Sequence, residues 1–201
     1  MEVCHVKNTG RCRELLLPGV RVVLAVAQNP ARKTKYDLIA VYKGDTLINM
    51  DSQAPNQVAA ELLPRLFPDA ERIKAECTRG DSRLDFCMER QGRKTWVEVK
   101  GVTLEEKGIA LFPDAPTQRG VKHIHTLISC AKQGDQACLL FLIQMKGPFV
   151  LRPNLATHPA FGQALCMARE KGVQLLAYDC LVAPGEIYAD APVRVDLPES
   201  C

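Results

Sequence analysis

The chain has 201 residues, 47% of them hydrophobic, and a formal net charge of +3. This length suits one large domain or two small ones with a buried core. No apolar run reaches about 18 residues and no signal pattern opens the chain, so we expect a cytoplasmic protein without a membrane partner. Nine cysteines are scattered without a Cys-x-x-Cys pair, which argues against a zinc site.

The front of the chain is basic. Residues 1–50 hold eight Lys or Arg against four Asp or Glu, which gives an excess of +4. Such a patch suits contact with a polyanion, and on charge alone an ordinary solvated surface is slightly favoured.

Residues 1–50 also have the pattern of β structure. Segments 3–7, 20–26, 36–42 and 46–49 are β-branched or aromatic and are bounded by turn residues. We predict a small OB-like β subdomain over 1–50, either a barrel or a half-barrel.

The pattern changes at residue 51, where a second domain, 51–201, is predicted to begin. A helix is predicted from 52 to about 66, followed by strands near 71–78, 82–89 and 94–102. A loop over 112–117 precedes a helix (117–132), a buried strand (138–145), a helix (158–171) and another buried strand (173–179). The tail from 183 is predicted to be irregular or an edge strand. This order indicates a mixed α/β sheet with helices on both faces.

Two neighbouring strands carry a candidate metal site. Glu98 and Lys100 lie two residues apart, so they share one face of their strand, and a hairpin would bring Asp85 near them. Two carboxylates can hold Mg²⁺ or Mn²⁺, and a lysine beside them can act on a phosphate. Glu76, on the preceding strand, is a candidate third ligand. The alternative is a solvated strand face with a simple ion pair.

The apolar neighbours of these acids indicate partial burial. Val97 and Val99 place the second strand in the core, and Leu84 and Phe86 are expected to pack together on the side away from Asp85. An acid in such a setting needs a partner because an unpaired buried charge is costly.

Basic residues cluster at the start of the 117–132 helix. Arg119, Lys122 and His123 lie within about one turn, where free amides also attract phosphate. The alternative is a solvated helix start. Residues 8–11, Asn-Thr-Gly-Arg, form a turn by composition that could place Arg11 against a phosphate, although a plain turn is favoured.

Four motifs give the chain a family resemblance. They are Asn-Thr-Gly-Arg (8–11), Ser-Arg-Leu-Asp-Phe (82–86), Glu-Val-Lys-Gly-Val-Thr-Leu (98–104) and Phe-Pro-Asp-Ala-Pro-Thr-x-Arg-Gly-x-Lys-His (112–123). Together they resemble the sugar fermentation stimulation protein A family over residues 4–179. The resemblance implies an oligonucleotide-binding barrel followed by a restriction-endonuclease-like domain of the PD-(D/E)xK class.

The resemblance also implies residue roles. Asp85, Glu98 and Lys100 would be catalytic, with Asp85, Glu98 and Glu76 around Mg²⁺ or Mn²⁺. The residues expected to contact nucleic acid, including Arg13 from the basic front, are Arg11, Arg13, Arg83, Thr117, Arg119, Lys122 and His123.

Two main functions remain open at this point, and the modest net charge leaves a metal-independent structural protein as a third. One is a metal-dependent nuclease (a hydrolase) acting on DNA, and the other is a non-catalytic DNA-binding or regulatory protein, which the family links to sugar metabolism. RNA is not distinguished from DNA. The family also implies a further N-terminal stretch, and an OB barrel needs five strands where four are predicted. An open barrel, completion by a partner chain such as a homodimer, and a misplaced start are the three explanations.

Overall fold

The computed structural model describes residues 2–8, 10–29 and 31–198. In those residues the chain forms fourteen strands and three helices. Their bounds in chain order are β1 (Cys4–Val6), β2 (Val22–Val26), β3 (Tyr36–Lys43), β4 (Thr46–Asn49), α1 (Ala54–Leu66), β5 (Arg72–Arg79), β6 (Ser82–Arg90), β7 (Arg93–Val102), β8 (Leu104–Glu106), β9 (Ile109–Phe112), α2 (Gln118–Lys132), β10 (Gln136–Ile143), β11 (Val150–Pro153), α3 (Pro159–Glu170), β12 (Gln174–Ala183), β13 (Glu186–Pro192) and β14 (Arg194–Val195).

The first sheet is built around β3, its longest strand. β2 pairs antiparallel with β3 along one edge. On the other edge β1 pairs parallel with the first half of β3 and β4 pairs antiparallel with the second half, so β1 and β4 lie end to end. These four strands confirm the four predicted from turn residues and β-branched content in the basic front of the chain.

The central sheet has six strands in the order β13-β12-β10-β7-β6-β5. β10 pairs parallel with both β7 and β12, whereas β5, β6 and β13 pair antiparallel with their neighbours. Every residue of β10 after Gln136 is buried, as a strand covered on both faces requires. The predicted mixed sheet is therefore confirmed.

Helices cover both faces of this sheet, as the sequence predicts. α1 packs against Val97 and Val99 of β7 in one apolar cluster. α2 and α3 pack with Trp96 of the same strand in the other cluster. Because side chains alternate along a strand, Glu98 and Lys100 face the α2 side. Among the described residues, no helix combines the length and apolar character needed to cross a membrane.

Four short strands go beyond the predicted helix and strand order. β8, β9, β11 and β14 form a third sheet, in which β11 pairs parallel with both β9 and β14. β13 pairs antiparallel with β12 at the edge of the central sheet, which confirms an edge strand in the tail. β8 and β9 lie between β7 and α2, so the 112–117 loop starts at the last residue of β9 and leads directly to α2.

Candidate metal and phosphate site

The site begins where β6 and β7 separate. Their ladder runs from Arg90 and Arg93 to Phe86 and Val97, and no further pair follows. One residue beyond, the Asp85 side chain takes the place of a backbone acceptor, and its Oδ2 accepts the Val99 N–H at 2.8 Å. Asp85 is thereby held between the two separating strands.

Leu84 and Phe86 do not pack together, in contrast to the sequence expectation. Leu84 belongs to the cluster on the α2 side, and Phe86 belongs to the cluster on the α1 side. Residues at positions i and i+2 of a strand normally point to the same face. The regular alternation of side chains in β6 is therefore broken at Asp85. This change accompanies the end of the ladder.

Asp85 is half-buried and has two neutral donors. Besides Val99, the Asn56 side chain donates from Nδ2 to Oδ1 at 2.9 Å. Burial, and then the negative charge of Glu98, raise the pKa of Asp85 above its ordinary value. The ionised form of Asp85 is therefore disfavoured in this environment, and a bound cation would stabilise it.

Glu98 is almost completely buried, with 2% of its surface exposed. Its Oε1 accepts hydrogen bonds from Nδ1 of His123 at 2.5 Å and from Nζ of Lys100. Burial alone would raise the pKa of Glu98, but these donors outweigh burial and the net shift is downward. Its Oε2 is buried and has no hydrogen-bond partner among the residues that the structure describes.

His123 connects Glu98 to the start of α2. Its Nδ1 lies against Glu98, and its Nε2 lies 3.5 Å from Nε of Arg119. An arginine only donates, so in this arrangement Nε2 is the acceptor and Nδ1 is the donor to Glu98. Arg119 and His123 are four residues apart, and that spacing places them on one helix face.

The start of α2 is fixed by its cap. Thr117 is the N-cap residue, and its Oγ1 accepts the Gly120 N–H at 3.0 Å. The Thr117 N–H donates to Nδ1 of His158 at 3.2 Å. Hydrogen bonds therefore fix both the side chain and the backbone of Thr117 at this end of the helix. The exposed Arg119 lies two residues after Thr117, and its two terminal nitrogens donate to no described residue. This end of α2 can offer a guanidinium group to an anion.

The donor set fits a hard divalent cation with an incomplete protein shell. No group of three or more His, Cys, Asp or Glu that could hold a metal occurs in the described part of the chain. Two carboxylates with the remaining positions filled by water or phosphate are typical of Mg²⁺. The unpartnered Oε2 of Glu98 is a buried acceptor that such an ion would satisfy.

Glu76 is not brought to this cluster. It lies across the β5–β6 ladder from Asp85, but its backbone φ of +54° interrupts the pairing between the flanking residues. Its exposed carboxylate lies 3.6 Å from the Arg83 guanidinium, which is also exposed. The positive φ turns Glu76 out of the regular strand geometry, and Glu76 and Arg83 form a separate surface pair.

The remaining basic residues are spread around the site. Lys122 bonds Asp81 through both the carboxylate, at 2.9 Å, and the backbone carbonyl, at 3.2 Å. Arg11 and Arg13 are exposed on the N-terminal segment. The Arg11 N–H donates to Oδ2 of Asp114 at 2.9 Å, and this bond joins the two motifs at 8–11 and 112–123. Thr9 of the first motif lies outside the described residues.

A cleft of about 450 Å³ opens beside Asp85. Asn8, Asn56, Gln144 and the 112–117 loop are among the residues around it. Asn56 and Gln144 were not singled out from the sequence, because a lone amide in a helix or after a strand carries no recognisable pattern. Their importance is visible only from their position in the fold.

Comparison with known proteins places the chain in a family. Residues 53–186 match the model of the sugar fermentation stimulation protein RE domain, and residues 1–50 match that of the SfsA N-terminal OB domain. The chain belongs to the sugar fermentation stimulation protein family. The predicted family and fold class are both confirmed.

Relatives align over nearly the whole chain. The sugar fermentation stimulation protein homolog of Desulfitobacterium hafniense strain Y51 is 55% identical over 199 residues, covering 98% of this chain and 87% of the relative. The Clostridium beijerinckii homolog is 53% identical over 183 residues, covering 90% and 81%. Pyrococcus furiosus SfsA, solved in complex with Ca²⁺, is 29% identical with a TM-score of 0.86, covering 98% of this chain and 86% of that one.

Proposed function

We propose that this protein is a divalent-metal-dependent phosphodiesterase that cleaves DNA. Asp85 and Glu98 would hold the ion, with Mg²⁺ or Mn²⁺ as the working metal. The observation that carries the proposal is the buried, unpartnered Oε2 of Glu98, in a carboxylate whose other oxygen is already held by Lys100 and His123. The Ca²⁺ complex of the Pyrococcus furiosus relative supports a divalent-cation site in this fold.

In this proposal Lys100, His123 and Arg119 have separate roles around the ion. A divalent ion at such a site polarises the phosphate and lowers the pKa of water. Lys100 adds a positive charge beside Glu98, where it would stabilise negative charge that develops on the phosphate. His123 holds Glu98 in one orientation, and Arg119 holds His123 while its free nitrogens face solvent for the DNA backbone.

A non-catalytic DNA-binding protein is the second candidate. The exposed Arg11 and Arg13, and the separation of Glu76 from the two site carboxylates, favour it. Such a protein would bind mainly through phosphate contacts, and its affinity would fall steeply as salt rises. Binding would then survive substitution of Lys100.

Metal binding and cleavage together test the proposal. We expect Mn²⁺ to bind the protein in calorimetry, and plasmid and oligonucleotide DNA to be cut in Mg²⁺ or Mn²⁺. Glu98→Gln should abolish both, whereas Glu71→Gln, on an exposed residue outside the site, should change neither. Intact DNA across Mg²⁺, Mn²⁺ and Ca²⁺, on single and double strands, would leave the binding protein as the better description.

A further inference from the structure

The cleft beside Asp85 differs chemically from a phosphate site. Among the described residues around it, Asp114 is the sole ionisable side chain, and its Oδ2 already accepts the Arg11 N–H. No lysine or arginine is part of the described lining. A phosphate group would therefore meet no cation there, and a neutral ligand group fits the cleft better.

The walls combine flat apolar surfaces with amide groups. Phe112, Pro113 and Pro116 supply the apolar surfaces, and Asn56 supplies an amide whose Nδ2 donates to Asp85 and whose Oδ1 accepts from no described residue. Flat rings with donors and acceptors along one edge are the chemistry of nucleobases, which proteins recognise by stacking and by hydrogen bonds to that edge. The cleft volume of about 450 Å³ lies in the usual range for a small-ligand site.

Gln144 provides a hydrogen-bond acceptor inside this cleft. It is 2% exposed, and its Nε2 donates to the Asn49 side chain at 3.0 Å and to the Asp51 carbonyl at 3.1 Å. These bonds fix the orientation of the amide. No described residue donates to its Oε1, so this atom is available to a ligand N–H.

Gly101 keeps that acceptor open. A Cβ built at this position would overlap Oε1 of Gln144 and a ring carbon of Pro55. Glycine therefore leaves free the space in front of Oε1. Gly101 lies in β7 without a positive φ, so its close approach to Gln144 and Pro55, and not its backbone conformation, accounts for the glycine.

The cleft also borders the candidate catalytic residues. Asn56 and Val99 line it, and both donate to the Asp85 carboxylate. Thr117, which caps the helix carrying Arg119 and His123, lines it as well. The cleft and the Asp85–Glu98 site are therefore close enough for one nucleotide to place its base in the cleft and its phosphodiester at the site.

We propose that this cleft holds the base of one unpaired nucleotide adjacent to the phosphodiester at the metal site. The inference rests on the proposed function and narrows its substrate to single-stranded DNA or to a strand from which one base is extruded. A base inside an intact stack cannot enter a pocket of this kind, since it must first leave its neighbours.

The test compares two oligonucleotides of equal length and charge. One is ordinary single-stranded DNA, and the other carries abasic tetrahydrofuran residues, so both present the same phosphates. Binding is measured by fluorescence anisotropy in EDTA, where no cleavage occurs. We expect the wild-type protein to bind the ordinary strand at least about tenfold more tightly, the size of one stacked and bonded base.

Two variants fill the cleft without touching the catalytic groups. Ala115→Phe and Ser52→Phe each place a ring in it, and Ala60→Phe, on the exposed face of α1, is the matched control. The filled variants should lose the preference for the ordinary strand and keep the wild-type affinity for the abasic one. The control should keep both, and thermal melting verifies that all three fold.

Each outcome decides the proposal. A wild type that binds both strands equally, or a preference that persists in both filled variants, overturns the base site. Cleavage in Mg²⁺ with no base preference would refute the cleft and leave the nuclease standing. Base-dependent binding without cleavage would do the reverse, and a protein that neither cleaves DNA in Mg²⁺ nor prefers the ordinary strand would overturn both.

Discussion

His123 and Glu98 are joined by a hydrogen bond of 2.5 Å between Nδ1 and Oε1, although 25 residues separate them in the chain. The bond connects α2 to the central sheet at the candidate metal site. Because Lys100 bonds the same oxygen, the rest of the Glu98 carboxylate is turned so that Oε2 lies buried and free of donors. His123 therefore holds the orientation of Glu98, the proposed metal ligand.

Substituting His123 should lower the affinity for metal in a protein that still folds. In His123→Ala the Glu98 carboxylate loses one of two donors, and loss of such a supporting bond typically costs about 10–100-fold in metal affinity. We expect the Mn²⁺ dissociation constant to rise by that factor in calorimetry. His125→Ala, on the exposed face of the same helix, is the control and should behave as wild type. Equal Mn²⁺ affinity in both variants would contradict the positioning role.

Substituting Lys100 should lower the rate of DNA cleavage more than it lowers the affinity for metal. Lys100→Met keeps much of the side-chain volume and removes the charge that would stabilise the phosphate, so the cleavage rate should fall about 100-fold or more. Mn²⁺ affinity should stay within a few-fold of wild type, because Asp85 and Glu98 remain. Lys94→Met, on an exposed residue of the same strand, is the matched control. A cleavage rate that is unchanged in Lys100→Met would show that Lys100 takes no part in the chemistry.

Local sequence patterns predicted the parts of the site that depend on a single strand. Val97 and Val99 flank Glu98, and the two-residue period places both valines on the α1 side and the acid on the other side. The same period pairs Glu98 with Lys100. These relationships need no knowledge of distant residues, and the order of large helices and strands follows from equally local signals.

Contacts between elements could not be predicted in this way. Asn56 reaches Asp85 across 29 residues, and His123 reaches Glu98 only because α2 packs on that face of the sheet. The strands β8, β9 and β11 are three or four residues long, too short for a period to be recognised. Glu76 was a candidate ligand because it lies on the preceding strand and because of the family resemblance, and its positive φ cannot be predicted from the sequence of a strand.

Asp37 should make the first sheet sensitive to acid. Its carboxylate accepts two hydrogen bonds from the Arg32 guanidinium, at 2.7 and 3.0 Å, and lies 3.3 Å from Nζ of Lys7. These partners hold the pKa of Asp37 well below its ordinary value. A carboxyl group with a depressed pKa stabilises the fold above its unfolded pKa of about 4 and loses that stabilisation as the pH falls further.

The free energy of unfolding should therefore drop between about pH 5 and pH 3, and Asp37→Asn should show a smaller drop. Urea unfolding at several pH values measures this difference. Asp45→Asn, in the exposed turn between β3 and β4, is the control and should retain the wild-type slope. Parallel curves for wild type and Asp37→Asn would rule out Asp37 as the source.

Gly10 is required where the N-terminal segment meets the 112–117 loop. Its N–H donates to Oδ1 of Asn8 at 2.7 Å, and a Cβ at this position would overlap Oδ2 of Asp114, the atom that accepts the Arg11 N–H. Asp114 cannot move away without losing that bond. We expect Gly10→Ala to lower the free energy of unfolding by about 1–3 kcal/mol, the usual cost of overpacking.

A double-mutant cycle separates this overlap from any general effect of alanine at residue 10. In an Asp114→Ala background the clashing oxygen is gone, so Gly10→Ala should cost clearly less than it does in the wild-type protein. Urea unfolding of the four proteins gives the coupling free energy. A cost that is the same in both backgrounds would show that the Asp114 contact does not require the glycine. A coupling of about 1 kcal/mol or more would establish that the two sequence motifs meet as the hydrogen bond from Arg11 to Asp114 indicates.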